Sequence, residues 1–252
     1  MDPTHEHLMQ AVTRDLGAPE TWIDIHTYPD SMAECLIDAV WSERVRYSVI
    51  EGIINRYRAY RAGSGADADH DSARDLLGTF SMGLDAWMDT IGNRQRAYSR
   101  GEAPFKAVLV RMGARAAVAC GIVTAQALRH DHSRDSSSLN DLKTRWFQLP
   151  AQHSGLTWER LLLVAGVDDV PSDGWIIEYV SRVEGLPGTQ TLSPAEVTSI
   201  VEAAAKDLGV SPLRLRNAIW RFETTRDRAI GYGPRASHPV RAGATAGQGA
   251  GA

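Results

Sequence analysis

The chain has 252 residues, 43% of them hydrophobic and 23% charged, which is enough apolar material for one large core or two lobes and too much for a wholly disordered chain. Its 27 Lys+Arg against 31 Asp+Glu give a formal net charge of -4, so any nucleic-acid binding has to come from a local face and not from a global field. Charges interrupt every apolar run, residues 1–16 do not resemble a signal peptide, and the only cysteines are Cys35 and Cys120. Neither a membrane span, a disulfide framework nor a cysteine-bound metal or cluster is expected, and a cytoplasmic location is.

Apolar periodicity predicts helices almost throughout and an all-α fold. A first helix falls at 4–16, and residues 21–28 have room for a short extended piece. Over 31–62, Met32, Cys35, Leu36, Ala39 and Val40 recur at three- and four-residue spacing, and Val49, Ile50, Ile53, Ile54 and Tyr57 continue the pattern. One helix face there is buried, and Asp30 and Ser31 after Pro29 supply capping chemistry at its start. Further helices are expected at 72–80, 83–91, 105–127, 139–147, 156–165, 173–183, 193–208 and 211–226. Residues 63–71 and 129–138 are polar and turn-rich and read as surface loops. Glycine, proline and alanine dominate the end of the chain, so 229–252 should be a disordered tail. Both cysteines lie in apolar helical patterns and read as small buried hydrophobes.

The most informative stretch is 139–182, L-N-D-L-K-T-R-W-F-Q-L-P-A-Q-H-S-G-L-T-W-E-R-L-L-L-V-A-G-V-D-D-V-P-S-D-G-W-I-I-E-Y-V-S-R. A helix closes at Gln148, Leu149-Pro150 opens a short turn, Gly155 ends it, and a second amphipathic helix follows. With an Asp opening another helix further on, this order resembles the helix-hairpin-helix DNA glycosylase superfamily, the endonuclease III-like base-excision enzymes. Upstream, L-I-D-A-V-W-S-E-R-V-R-Y-S-V-I resembles the helix, loop and helix near the start of the glycosylase barrel, where Arg44 falls on the side chain that enters the duplex. The resemblance implies two helical lobes with a cleft between them. Residues 30–170 would form the barrel lobe, with the hairpin at 149–155, and 1–29 plus 171–228 would form a discontinuous second lobe.

The departures from the family pattern carry chemistry too. Gly155 stands where bifunctional members carry a lysine nucleophile, so no amine is available for a Schiff base and lyase activity is not expected. Ala151 and His153 stand where the hairpin glycines would be, which leaves Gly155 as the residue of the turn that freely adopts positive φ. No cysteines follow the hairpin to hold an iron–sulfur cluster.

Cleaving an N-glycosidic bond develops positive charge on the sugar, and one fixed carboxylate can stabilise it and orient the attacking water. The resemblance assigns that role to Asp173; a plain helix cap is the competing reading of Pro171-Ser172-Asp173. A base cut from DNA must first leave the stack. Trp41, Tyr47 and Trp175 are candidates for its pocket, and core packing competes for each aromatic, with Trp41 and Tyr179 favoured as core. Candidates for DNA contact are Arg44, Arg46, His153, Ser154 and Gly155, with Lys143, Arg145 and Arg160 around the hairpin and Arg214, Arg216 and Arg221 on the last long helix as further cations. His5, His7, His130 and His132 lack a ligand set, so no metal and no cofactor are expected. The function expected is a monofunctional DNA glycosylase acting on a damaged base or on hypermodified phage DNA, with DNA as its partner and no obligate protein partner. The alternatives are a catalytically inactive helix-hairpin-helix DNA-binding module and an all-α interaction protein unrelated to DNA.

Overall fold

The computed structural model describes residues 6–22, 25–42, 45–98, 102–153, 155–167, 174–186 and 190–230, with side chains described as far as Glu223. The fold is all-α. Among these residues the only strand-like pairing is a single bridge between Arg96 and Phe105.

Helix α2, Met32–Ser42, is buried along its whole length, including the carboxylates Glu34 and Asp38. A helix with no solvated face has to lie at the centre of a core, and a buried charge there has to be paired. Both are: Arg58 donates to Glu34 through Nε at 2.6 Å and Nη2 at 2.8 Å, and Arg160 donates to Asp38 at 2.6 and 3.1 Å. The arginines come from the helices that pack on α2, namely α3, Tyr47–Gly63, and α9, Leu156–Val164. Helix α6, Lys106–Ala119, covers a further side of α2 and carries α4, Ala73–Thr79. Arg61 of α3 also bonds twice to Asp71, at 2.6 and 2.7 Å, and Asp71 accepts from the Tyr57 hydroxyl at 2.6 Å.

The remaining helices of this half are α5, Leu84–Thr90, α7, Ala125–Ser133, and α8, Ser137–Phe147. Helix α6 approaches α8 so closely that a Cβ on Gly113 would lie 2.8 Å from the Trp146 ring, which is why a residue without a side chain occupies that position. One continuous core runs from Tyr28 to Val167.

A second core gathers Leu8 and Val12 of α1, Glu6–Leu16, with Ile176, Tyr179 and Val180 of α10, Gly174–Val183, Val197 and Val201 of α11, Pro194–Asp207, and Leu215 and Ile219 of α12, Pro212–Ile230. The closest helix packing runs within each core: α2 with α9, α3 and α6 in the first, α10 with α11 and α12 in the second. Ser193 opens α11 with a reciprocal capping box to Glu196, and Pro194 sits at the first helical turn, the sequence signature of a helix start.

Three expectations about elements need correction; the first is the surface loop at 63–71, whose Ala68 and Asp71 are buried, with Asp71 held by Tyr57 and Arg61 of α3. The single helix expected over 105–127 is broken at Cys120, because Gly121 turns left-handed at φ +77° and the Thr124 hydroxyl accepts from the Ala127 N–H to start α7 anew. The loop expected at 129–138 shrinks to a short link, because α7 runs on to Ser133 and Ser136 caps α8 by accepting from the Leu139 N–H. Of the expected tail, residues 229 and 230 belong to α12, and 231–252 lie outside the described residues.

Candidate functional site

The turn between α8 and α9 is fastened from inside. Trp146 Nε1 donates to the Thr157 hydroxyl at 3.0 Å, and that hydroxyl donates to the Gln152 side-chain carbonyl. Gln152, only 2% exposed, therefore anchors the middle of the turn, while His153 beside it points to solvent. Gly155 caps α9 at φ +81°. Ala151 also adopts a positive φ, 64°, so the turn holds two left-handed residues where only Gly155 was expected to be one. A Cβ there costs on the order of 1–2 kcal/mol, which the buried bonds of Gln152 and Thr157 help to offset.

Arg160, one turn into α9, was a candidate for phosphate contact. The structure corrects this. Its side chain is 6% exposed against a fully buried Asp38, a geometry in which the guanidinium is neutralised and screened from any ligand. Arg214 donates to the Trp22 carbonyl at 3.1 Å and Arg216 to the Thr198 hydroxyl at 3.2 Å, so these cations also serve packing contacts. Lys143 and Arg145 remain exposed on α8.

The two cores meet at α12. Its consecutive residues Trp220 and Arg221 reach different helices of the first core: the Arg160 guanidinium lies 5.4 Å from the centre of the Trp220 ring, and the Arg221 guanidinium 5.1 Å from that of Tyr47. Tyr47 is the first residue of α3, and Arg46, exposed, precedes it. The ring of His26 runs parallel to that of Tyr47, with centroids 6.2 Å apart and planes within 2°.

Burial, with the Asp38 carboxylate adding to it, pushes the Tyr47 phenol above its ordinary value, and burial does the same for Tyr28, which donates to Asp38 at 3.4 Å. Both phenols are therefore neutral hydrogen-bond donors around pH 7. The Tyr47 hydroxyl oxygen is buried without a well-formed hydrogen bond.

The other sequence candidates are placed as follows. Trp41 is fully buried; its ring packs on Trp87 at 6.1 Å and its Nε1 donates to Asn93 at 3.3 Å. Trp175 is buried in the first turn of α10 at 8% exposure. The structure thus brings Arg46 and Tyr47 together at the start of α3, sets His153 and Gly155 at the start of α9, and leaves Trp41 in the first core. Asp173, Arg44 and Ser154 lie outside the described residues. Sequence reasoning passed over His26, Gln152 and Lys106, whose ammonium is buried and donates to the Trp41 carbonyl at 3.3 Å where α2 ends. Only Lys106 carried a sequence signal, a charge within an apolar helical run.

Among the described residues no group of three or more His, Cys, Asp or Glu side chains is placed to hold a metal ion, and no helix is long and apolar enough to cross a membrane. Residues 6–224 match a family model described as Domain of unknown function (DUF8548). No curated protein and no solved structure matches the chain.

Proposed function

The chain belongs to the DUF8548 family, and we propose that it is a monofunctional DNA glycosylase, which hydrolyses the bond between a damaged or modified base and its sugar and leaves an abasic site. The observation that carries the reading is the junction of the two cores. There the His26–Tyr47 ring pair lies with the Arg221 guanidinium 5.1 Å from the Tyr47 ring centre, and the exposed Arg46 directly precedes Tyr47 in the chain, residue types with which a protein holds an extruded base and its backbone. The turn before α9 adds a second contact: two left-handed residues and the start of a nine-residue helix make a backbone surface whose N–H groups suit a phosphate oxygen.

In this reading Asp173, the residue directly before α10 in the sequence, is the carboxylate that stabilises the charge growing on the sugar and orients the attacking water. With Gly155 at the place of a lysine nucleophile, water is the attacking group in this reading, so the strand stays intact until alkali cleaves it. The substrate in this reading is a damaged base or foreign DNA carrying hypermodified bases, as in some phages.

The test is incubation of the purified protein with alkylated or base-modified DNA followed by alkali. Strand breaks at discrete bases are expected with wild type, and Asp173→Asn should yield at least a hundredfold fewer. Salt-dependent binding to abasic or duplex DNA with no break on any substrate would leave an inactive DNA-binding module instead.

A further inference from the structure

The turn before α9 joins two helices that pack on different partners, α8 on α6 and α7, and α9 on α2. Between them, and against the residues that follow α7, lies a cavity of about 400 Å³, a size at which proteins hold small molecules. Its apolar wall follows from helical spacing. Leu139 and Phe147 stand on α8 with Lys143 midway between them, Trp158 and Leu162 stand one turn apart on α9, and residues so spaced share a helix face. The Trp158 ring packs on the fully buried Trp146, with centroids 6.2 Å apart and planes at 59°, so it is held in place before any ligand arrives.

Lys143 is an exposed cation of this lining; its ammonium lies 5.9 Å from the centre of the Phe147 ring and forms no ion pair with a described carboxylate. A flexible ammonium in that setting can turn to meet an anion. Asp135, which accepts from Asn140 at 3.3 Å, and Glu159 line the same cavity, and their negative charge works against an anion of more than one charge, such as phosphate. We propose that this cavity binds a small aromatic carboxylate, its ring against Trp158 and Leu162 and its single negative charge at the Lys143 ammonium. Binding here does not depend on the DNA reading, whose ring pair lies at the start of α3.

The test titrates the full-length protein, followed by NMR, with indole-3-acetate, its neutral amide, tryptamine and plain acetate. Indole-3-acetate should bind with a Kd of about 1 mM or tighter, the amide about fivefold more weakly, and tryptamine and acetate more weakly still. The indole N–H signal of Trp158, identified by its loss in Trp158→Phe, should shift as indole-3-acetate is added. Lys143 is exposed on α8, so its variants should fold as wild type does. Lys143→Gln should bring indole-3-acetate down to the affinity of the amide, and Lys143→Arg should keep the preference. No shift of the Trp158 signal, equal affinity for the carboxylate and the amide, tighter binding of tryptamine, or a preference that survives Lys143→Gln would each overturn the proposal. Release of bases from DNA, present or absent, bears on the glycosylase reading alone.

Discussion

Two arginine–aromatic contacts cross the same junction, Arg160 of α9 under Trp220 of α12 and Arg221 of α12 beside Tyr47 of α3, and their surroundings set them apart. Arg160 is bonded twice to a carboxylate that water does not reach; its charge is spent inside the protein and the pair ties α9 to α2. Arg221 lies beside the half-buried Tyr47 ring, itself next to the exposed His26 imidazole. The two guanidiniums thus meet aromatic rings in different settings, and the carboxylate on α2 is what fixes Arg160 in place. A count of cations near the turn before α9 therefore overstates the charge open to any ligand unless buried partners are subtracted.

The contrast can be broken most forcefully at Arg160. Arg160→Ala leaves Asp38 as an unpaired buried charge and should cost about 3–5 kcal/mol in urea unfolding. Arg160→Met combined with Asp38→Leu, which removes both charges, should cost much less. A single variant within 1 kcal/mol of wild type would mean that the pair does not hold α9. The turn that α9 extends offers a smaller effect of opposite sign: Ala151→Gly, which relieves a Cβ at φ 64°, should raise stability by about 1 kcal/mol. No gain in melting temperature would mean that the residue is not left-handed in solution. Smallest in stability is Arg221→Ala, expected within about 0.5 kcal/mol of wild type, whereas its DNA binding should weaken and the slope of log affinity against log salt should fall by about 1. An unchanged slope would remove Arg221 from the DNA face.

How far the sequence could be read follows from the range of each interaction. Apolar spacing at three and four residues located α2 and α3, and the helix expected at 193–208 matches α11 to within a residue, because helical periodicity acts within one or two turns. The helix break at Gly121 carried a local signal too, a glycine followed by Thr124, but the apolar run on both sides outweighed it. The Asp38–Arg160 pair spans 122 residues and has no local signature at either end, so Arg160 read as a surface cation. His26 was illegible for the same reason. Nothing around it forms a motif, and its parallel alignment with Tyr47 exists only once residues 25–28 are laid against the start of α3.

In the proposed reading this protein frees a base from DNA by means of one carboxylate. Liquid chromatography of the bases released from genomic and phage DNAs of differing modification tests it most directly. Wild type should release a discrete free base from at least one modified DNA, and Asp173→Asn should lose that release while DNA binding persists. Equal release by wild type and Asp173→Asn, or none from any DNA, would contradict it.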